Sequence, residues 1–87
     1  MTSNFTNQSR NYDPRHHSVR FWGHDEALEV TFLVEEDALT RLDEATPRTE
    51  EGFLVAFDRN RERIFAAARK AYSRRGSGFY TLAAADF

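Results

Sequence analysis

The chain contains no cysteine among its 87 residues. It therefore has no disulfide framework and no thiolate metal site. Long apolar runs are also missing, because the longest are only a few residues and about 20 are needed to span a bilayer. The N-terminal stretch MTSNFTNQSRNYD has no apolar run and does not resemble a signal peptide. We therefore expect a soluble cytoplasmic protein without a membrane segment.

Aromatic side chains are plentiful in this short chain. It has eight Phe, three Tyr and one Trp, and each such side chain buries roughly 150–250 Å² in a folded protein. A domain of this length buries only about 60 % of its unfolded surface, so its stability is marginal. We expect a single small domain that depends on aromatic packing.

Charge is spread unevenly along the chain. The net charge is −2, but residues 25–51 carry ten acids and two arginines, whereas residues 52–76 carry seven bases and two acids. The molecule is therefore expected to be an electrical dipole and not a polycation. A basic nucleic-acid-binding domain usually has an isoelectric point above about 9, and the value here is near 5.9. Nucleic acid is consequently not the expected partner.

Alternating apolar residues predict two strands between residues 18 and 34. The alternation has the period of two that is typical of strands, and Gly23 stands near the predicted turn. A hairpin centred on His24 and Asp25 brings apolar residues opposite one another and a base opposite an acid. The predicted cross-strand pairs are Phe21 with Leu28, Val19 with Val30, and Arg20 with Glu29.

Two helices and a third strand are predicted to follow. Residues 35–45 have acids first and one apolar stripe, which favours a short helix. Thr49 is a good N-cap for a long helix ending near Arg74, and we expect Asn60, inside its apolar stripe, to hydrogen-bond to strand or loop backbone. Residues 79–84 are predicted to form a strand.

The order β-β-α-α-β predicts an α+β fold in two layers. In this prediction a three-stranded antiparallel sheet is covered on one face by the short and the long helix. Residues 1–11 are expected to form a flexible N-terminal segment. Residues 12–87 are expected to form the single domain.

The second helix is rich in basic residues. We interpret them first as a solvated face that matches the helix dipole, because cations are favoured near a helix C-terminus. A phosphate-contacting face and a docking face for an acidic partner remain as alternatives. The possible basic face comprises Arg59, Arg63, Arg69, Lys70, Arg74 and Arg75.

The strand face away from the helices is the more informative surface. The alternation places Trp22 and Leu33 there, with Phe79 as a further candidate and with Arg20 and Glu29 as a polar rim. Exposed apolar patches often mark interaction sites. Two alternatives are open. In one, Trp22 is covered by the N-terminal segment through Phe5 or Tyr12. In the other, it meets a partner or a second copy.

Residue types that carry catalysis or bind metal are present but not grouped. His16 and His17 point opposite ways in an extended chain, and His24 lies about 20 Å away. Glu36 and Glu44 flank a short helix with no nucleophile nearby in the sequence, so we interpret them as solvated helix ends. We therefore expect no catalytic residue, no metal site and no cofactor.

Three segments of the chain together resemble a known family. VRFWGHDEALEVTFLVE, FDRNRERIFAAARKAY and YTLAAADF are similar to segments of the short bacterial proteins of the domain-of-unknown-function family numbered 1488. The resemblance runs from about Phe5 to Phe87. It implies a small bacterial α+β protein, and because members have no established activity, it supplies no functional residue.

The sequence favours a non-enzymatic protein-interaction or regulatory module. Its partner is expected to be an unidentified protein or a second copy in a weak homodimer. The alternative is a nucleic-acid-associated accessory protein that uses the basic second helix, and a third is an enzyme completed by another chain. Salt separates the first two, because phosphate contacts weaken steeply with salt and apolar docking does not.

Overall fold

The computed structural model describes residue 5 and residues 9–25, 28–75 and 79–87. Its helices and strands follow one another in an α+β order that contains three α-helices and four strands. Their bounds are β1 Arg10–Asp13, β2 Ser18–Asp25, β3 Leu28–Glu35, α1 Glu36–Leu42, α2 Glu50–Arg59, α3 Arg61–Arg75 and β4 Phe79–Leu82, and a short 3₁₀ helix spans Ala84–Asp86.

The sheet has the spatial order β1-β2-β3-β4 and is mixed. The first three strands pair antiparallel, whereas β4 pairs parallel to β3. The predicted three-stranded antiparallel sheet is therefore wrong in both strand number and direction. Three helices separate β3 from β4, and this long crossover allows the chain to re-enter the sheet parallel to β3, as a short hairpin cannot.

Strand β1 was not among the predicted strands. Tyr12 is its single aromatic or aliphatic residue, so its four residues do not alternate in the way that identifies a half-buried strand. Backbone pairing with β2 forms it, with Tyr12 opposite Val19. The expected flexibility of residues 1–11 stays a prediction, although β1 begins at Arg10 and Phe5 is buried.

The predicted register of the β2–β3 hairpin is wrong. Phe21 lies opposite Phe32, four residues beyond the predicted Leu28, and Arg20 lies opposite Leu33 instead of Glu29. The error arose because β2 continues through His24 and Asp25, where the turn was predicted. A shift by an even number of residues leaves every side chain on the same face. The predicted assignment of residues to the two faces therefore remained correct.

The long second helix is in fact two helices that meet at Asn60. Thr49 caps α2 as predicted, since its Oγ1 accepts a hydrogen bond from the Gly52 amide at 3.0 Å. Asn60 leaves the helical conformation, with φ −120° and ψ 23°. Its Nδ2 donates to the Ala56 carbonyl at 2.9 Å, which is the helix's own backbone and not the predicted strand or loop. A side chain that competes for backbone in this way ends a helix.

One face of the sheet carries the main hydrophobic cluster. Phe21, Phe32 and Tyr80 from the sheet pack with Phe57 and Ile64 from α2 and α3, and all five are at most 1 % exposed. The predicted burial of Phe57 and Ile64 is confirmed. No helix among the described residues is long and apolar enough to cross a membrane.

Phe5 also belongs to this core. Its ring stacks on that of Phe65, with the centroids 4.4 Å apart, and it lies against Gly23, where an added Cβ would come within 2.7 Å of the ring. The missing side chain of Gly23 thus leaves room for Phe5 on the core face. Tyr12 stacks on Phe53 on the same side. The alternative in which Phe5 or Tyr12 covers Trp22 is therefore wrong, because Trp22 lies on the other face.

Candidate functional site

The face of the sheet away from the helices is the candidate site. The buried hydrophobic residues of the described helices all pack on the Phe21 side, so none of those helices covers the opposite face. We call that opposite face the open face. Strand alternation and register place on it Asn11, Asp13, Ser18, Arg20, Trp22, His24, Glu29, Thr31, Leu33, Glu35 and Thr81.

Trp22 and Leu33 share the open face but differ in exposure. Trp22 is half-buried opposite Thr31. Leu33 is only 1 % exposed, so its predicted exposure is wrong. It lies on an inner strand between Arg20 of β2 and Thr81 of β4, and such close cross-strand neighbours shield a side chain from water. Phe79 is the backbone partner of Thr31, and its side chain lies outside the described part of the chain.

The polar residues around Trp22 form two rows of opposite character. Arg20 and His24 flank it on β2, whereas Glu29 and Glu35 lie on β3. His24 Nε2 is 3.7 Å from the carboxylate of Glu29. The predicted pair of Arg20 with Glu29 does not form, since Arg20 Nη2 donates to Asp13 instead.

Two nitrogen atoms beside Trp22 are shielded from solvent and unpaired. Arg20 Nε and His24 Nδ1 have no hydrogen-bond partner among the described residues. Unsatisfied polar atoms away from water are uncommon in folded proteins and cost free energy. They therefore leave unmet bonding capacity on both sides of Trp22, while a third such atom, the Tyr80 hydroxyl oxygen, lies on the core face.

A polar cluster joins the β1–β2 turn to α1, and the sequence did not predict it. The Tyr12 hydroxyl donates to Glu36, whose other oxygen is 3.4 Å from Arg48 Nη2. The hydrogen bond to Glu36, aided by burial and the carboxylate charge, raises the pKa of Tyr12. His17 Nδ1 lies 3.7 Å from the same carboxylate. Glu36 was interpreted as a solvated helix end, but its side chain is only 12 % exposed.

Asp13 organises the turn between β1 and β2 and holds His16 beside it. Asp13 accepts hydrogen bonds from the amides of Arg15 and His16 and from His16 Nδ1, the last at 2.8 Å. These contacts lower the pKa of Asp13, the His16 side chain most of all. Asp before Pro signals such a turn in the sequence. The contact between Tyr12 and Glu36 has no such signal, because the two residues are far apart in the chain. Among the residues that the structure describes, no three potential ligands lie close enough to hold a metal ion.

The basic residues do not form one helical face. The break at Asn60 leaves Arg59 in α2 and places the others in α3. Arg59 Nη1 is 3.8 Å from Asp43, and the Arg69 guanidinium lies over the Phe5 ring at 5.1 Å. Arg63 and Lys70 are exposed. Arg74 and Arg75 belong to α3, with side chains outside the described part.

Acid should weaken the contact between β1 and α2. Arg10 donates to both oxygens of Asp58, at 3.1 and 2.9 Å, and Arg61 donates at 2.7 Å. Burial raises the pKa of Asp58, but the hydrogen bonds from the two arginines outweigh burial, and the pKa falls below its usual 3.8. A carboxyl group of this kind stabilises the folded state above its unfolded pKa, and that contribution is lost as the pH falls through the folded pKa.

The urea midpoint should therefore fall as the pH drops below about 4. Asp58→Asn should have a lower midpoint than the wild type at neutral pH and should lose less on acidification. The exposed Glu44 supplies a control, since Glu44→Gln should behave like the wild type at both pH values. An Asp58→Asn midpoint equal to that of the wild type at neutral pH would contradict this role for the ion pair.

Comparison with known proteins agrees on one family. Residues 4–83 match the family described as "Protein of unknown function (DUF1488)". The fold is similar to the crystal structure of a protein of unknown function of that family from Shewanella loihica PV-4, with a TM-score of 0.82 and 18 % sequence identity over 94 % of each chain. At this identity the likeness concerns the fold alone. No functionally curated protein matches the chain.

Proposed function

Since this chain belongs to the DUF1488 family, whose function is unknown, we propose from its open face that it is a non-enzymatic protein-interaction module. The observation that carries the proposal is a half-buried Trp22 between two shielded, unpaired nitrogen atoms on a face that no described helix covers. Tryptophan and arginine are the residue types most enriched where binding energy concentrates in protein interfaces. A partner that docks here gains apolar contact at Trp22.

The proposed setting is the cytoplasm of a bacterium. The bacterial source of the similar crystal structure supports the bacterial setting. A fold without cysteine, which needs no oxidising compartment, agrees with the cytoplasm.

The basic residues give the nucleic-acid alternative little support. They are divided between two helices, and Arg59 and Arg69 already engage Asp43 and Phe5. The chain as a whole is acidic, with a net charge of −2. Any binding to DNA or RNA is therefore expected to be weak and to disappear as salt is raised.

Affinity capture from the native cell tests the proposal with two reciprocal variants. A protein partner should be recovered with the wild type and with Lys70→Glu, and it should be lost with Trp22→Glu. Nucleic acid recovered in the same experiment, sensitive to Lys70→Glu and not to Trp22→Glu, would favour the alternative. Retention of every partner by a folded Trp22→Glu variant would refute an interaction through the open face.

A further inference from the structure

We infer that the open face binds the open face of a second copy of this chain. The inference rests on the proposed function and names its partner. Its basis is a donor and a carboxylate that lie opposite each other on adjacent strands: His24 on β2 is the register partner of Glu29 on β3. Such a face is complementary to itself. A C2 dimer, the most common closed assembly, uses one self-complementary surface on both subunits.

The symmetry follows from this cross-strand pair. Sheets that pack face to face lie about 10 Å apart with their strands nearly aligned. A two-fold axis that runs along the strands, between the sheets and midway between β2 and β3, places β2 of each copy across β3 of the other. Because His24 is the register partner of Glu29 within one chain, the axis brings His24 across from Glu29 of the second copy. Trp22 then faces Thr31 of the second copy.

The residues on this axis are able to make these contacts. The side chain of Glu29 is 55 % exposed and that of His24 is 33 % exposed. A neutral imidazole has one N–H donor and an imidazolium has two, so His24 donates to a carboxylate in either state. Trp22 is half-buried and retains surface to bury.

The size of the face indicates a weak dimer. With strands of eight and four residues, spacing of about 4.8 Å and a rise of about 3.3 Å per residue, the sheet covers roughly 400 Å² in projection. A standard stable interface buries roughly 800 Å² on each partner. The dimer should therefore be reversible and should appear only at high protein concentration.

Sedimentation velocity tests the inference across a dilution series centred on about 100 μM. The wild type should shift from monomer to dimer as its concentration rises, and folded Trp22→Glu should remain monomeric. Val55→Glu, at a residue of α2 that is 42 % exposed, is the matched control and should dimerise like the wild type. Trp22→Phe keeps an aromatic ring and should still dimerise. This variant shows whether Trp22→Glu loses the dimer because the interface is changed or because the chain is unfolded.

A charge exchange tests the symmetry directly. His24→Glu makes both positions acidic, and Glu29→Lys makes both basic, so each variant alone should dimerise at least about tenfold more weakly. Mixed together, they should form a heterodimer, because each acidic position then faces a basic one across the axis. Contacts within one chain cannot produce this rescue, since each chain keeps its own mismatched pair.

The outcomes separate the inference from the proposed function. A wild type that remains monomeric throughout the series, a dimer unaffected by Trp22→Glu, or a mixture that fails to associate would each overturn the inference. If another protein is nevertheless captured through Trp22 from the native cell, the proposed function stands and its partner is not a second copy. If neither association depends on Trp22, both fail.

Discussion

Phe57→Ala and Ile64→Ala should each lower the free energy of unfolding by about 2–5 kcal/mol. Both side chains are fully buried, on either side of the break at Asn60. The Phe57 ring lies 5.1 Å from that of Phe21 and 6.1 Å from that of Phe65. Truncation therefore leaves a cavity between helix and sheet. Since a small domain has only about 5–15 kcal/mol of stability in total, either variant should be close to unfolding.

Urea denaturation followed by circular dichroism measures this loss. Val55 is in the same helix as Phe57 but is 42 % exposed, so Val55→Ala should change the free energy of unfolding by less than about 0.5 kcal/mol. If both core variants stayed within that small range, the packing of α2 and α3 on the sheet would be disproved.

Gly52→Ala should destabilise the protein although alanine is the better helix former. Helix propensity alone favours alanine over glycine by about 1 kcal/mol. However, a Cβ on Gly52 would lie 2.2 Å from the carbonyl oxygen of Pro47. Because this obstacle is backbone, the loop between α1 and α2 must move, including Thr46, whose hydroxyl donates to the Asp43 carbonyl at 2.6 Å. We expect a net loss of about 1–3 kcal/mol.

Gly23→Ala provides the comparison for Gly52→Ala. There the nearest atoms belong to side chains, the Phe5 ring at 2.7 Å and the Phe32 ring at 3.2 Å, and side chains can shift more readily than the Pro47 backbone. The loss at Gly23 should therefore be smaller than that at Gly52, as measured by the same urea titration. A stabilised Gly52→Ala variant would show that propensity outweighs the contact with Pro47, contrary to this argument.

The candidate site was only partly predictable from the sequence. Period-two alternation placed Trp22 and Leu33 on one face, and the structure has them there. The exposure of Leu33 was not predictable, because it depends on Arg20 and Thr81 beside it, and Thr81 comes from a strand 48 residues later in the chain. The contact of Tyr12 with Glu36 likewise joins two segments whose proximity no local pattern records.

The sequence by itself determined the features that depend on near neighbours in the chain. Alternation selected the core face of β2 and β3, and Thr49 followed by acids selected the start of α2. Tertiary structure decided the features that depend on which segments meet. These are the register of β2 on β3, the pairing that forms β1, the parallel direction of β4 and the burial of Leu33. The physical reason is that alternation is unchanged by a shift of an even number of residues, so only the packing of distant side chains selects one pairing among those that keep the same faces.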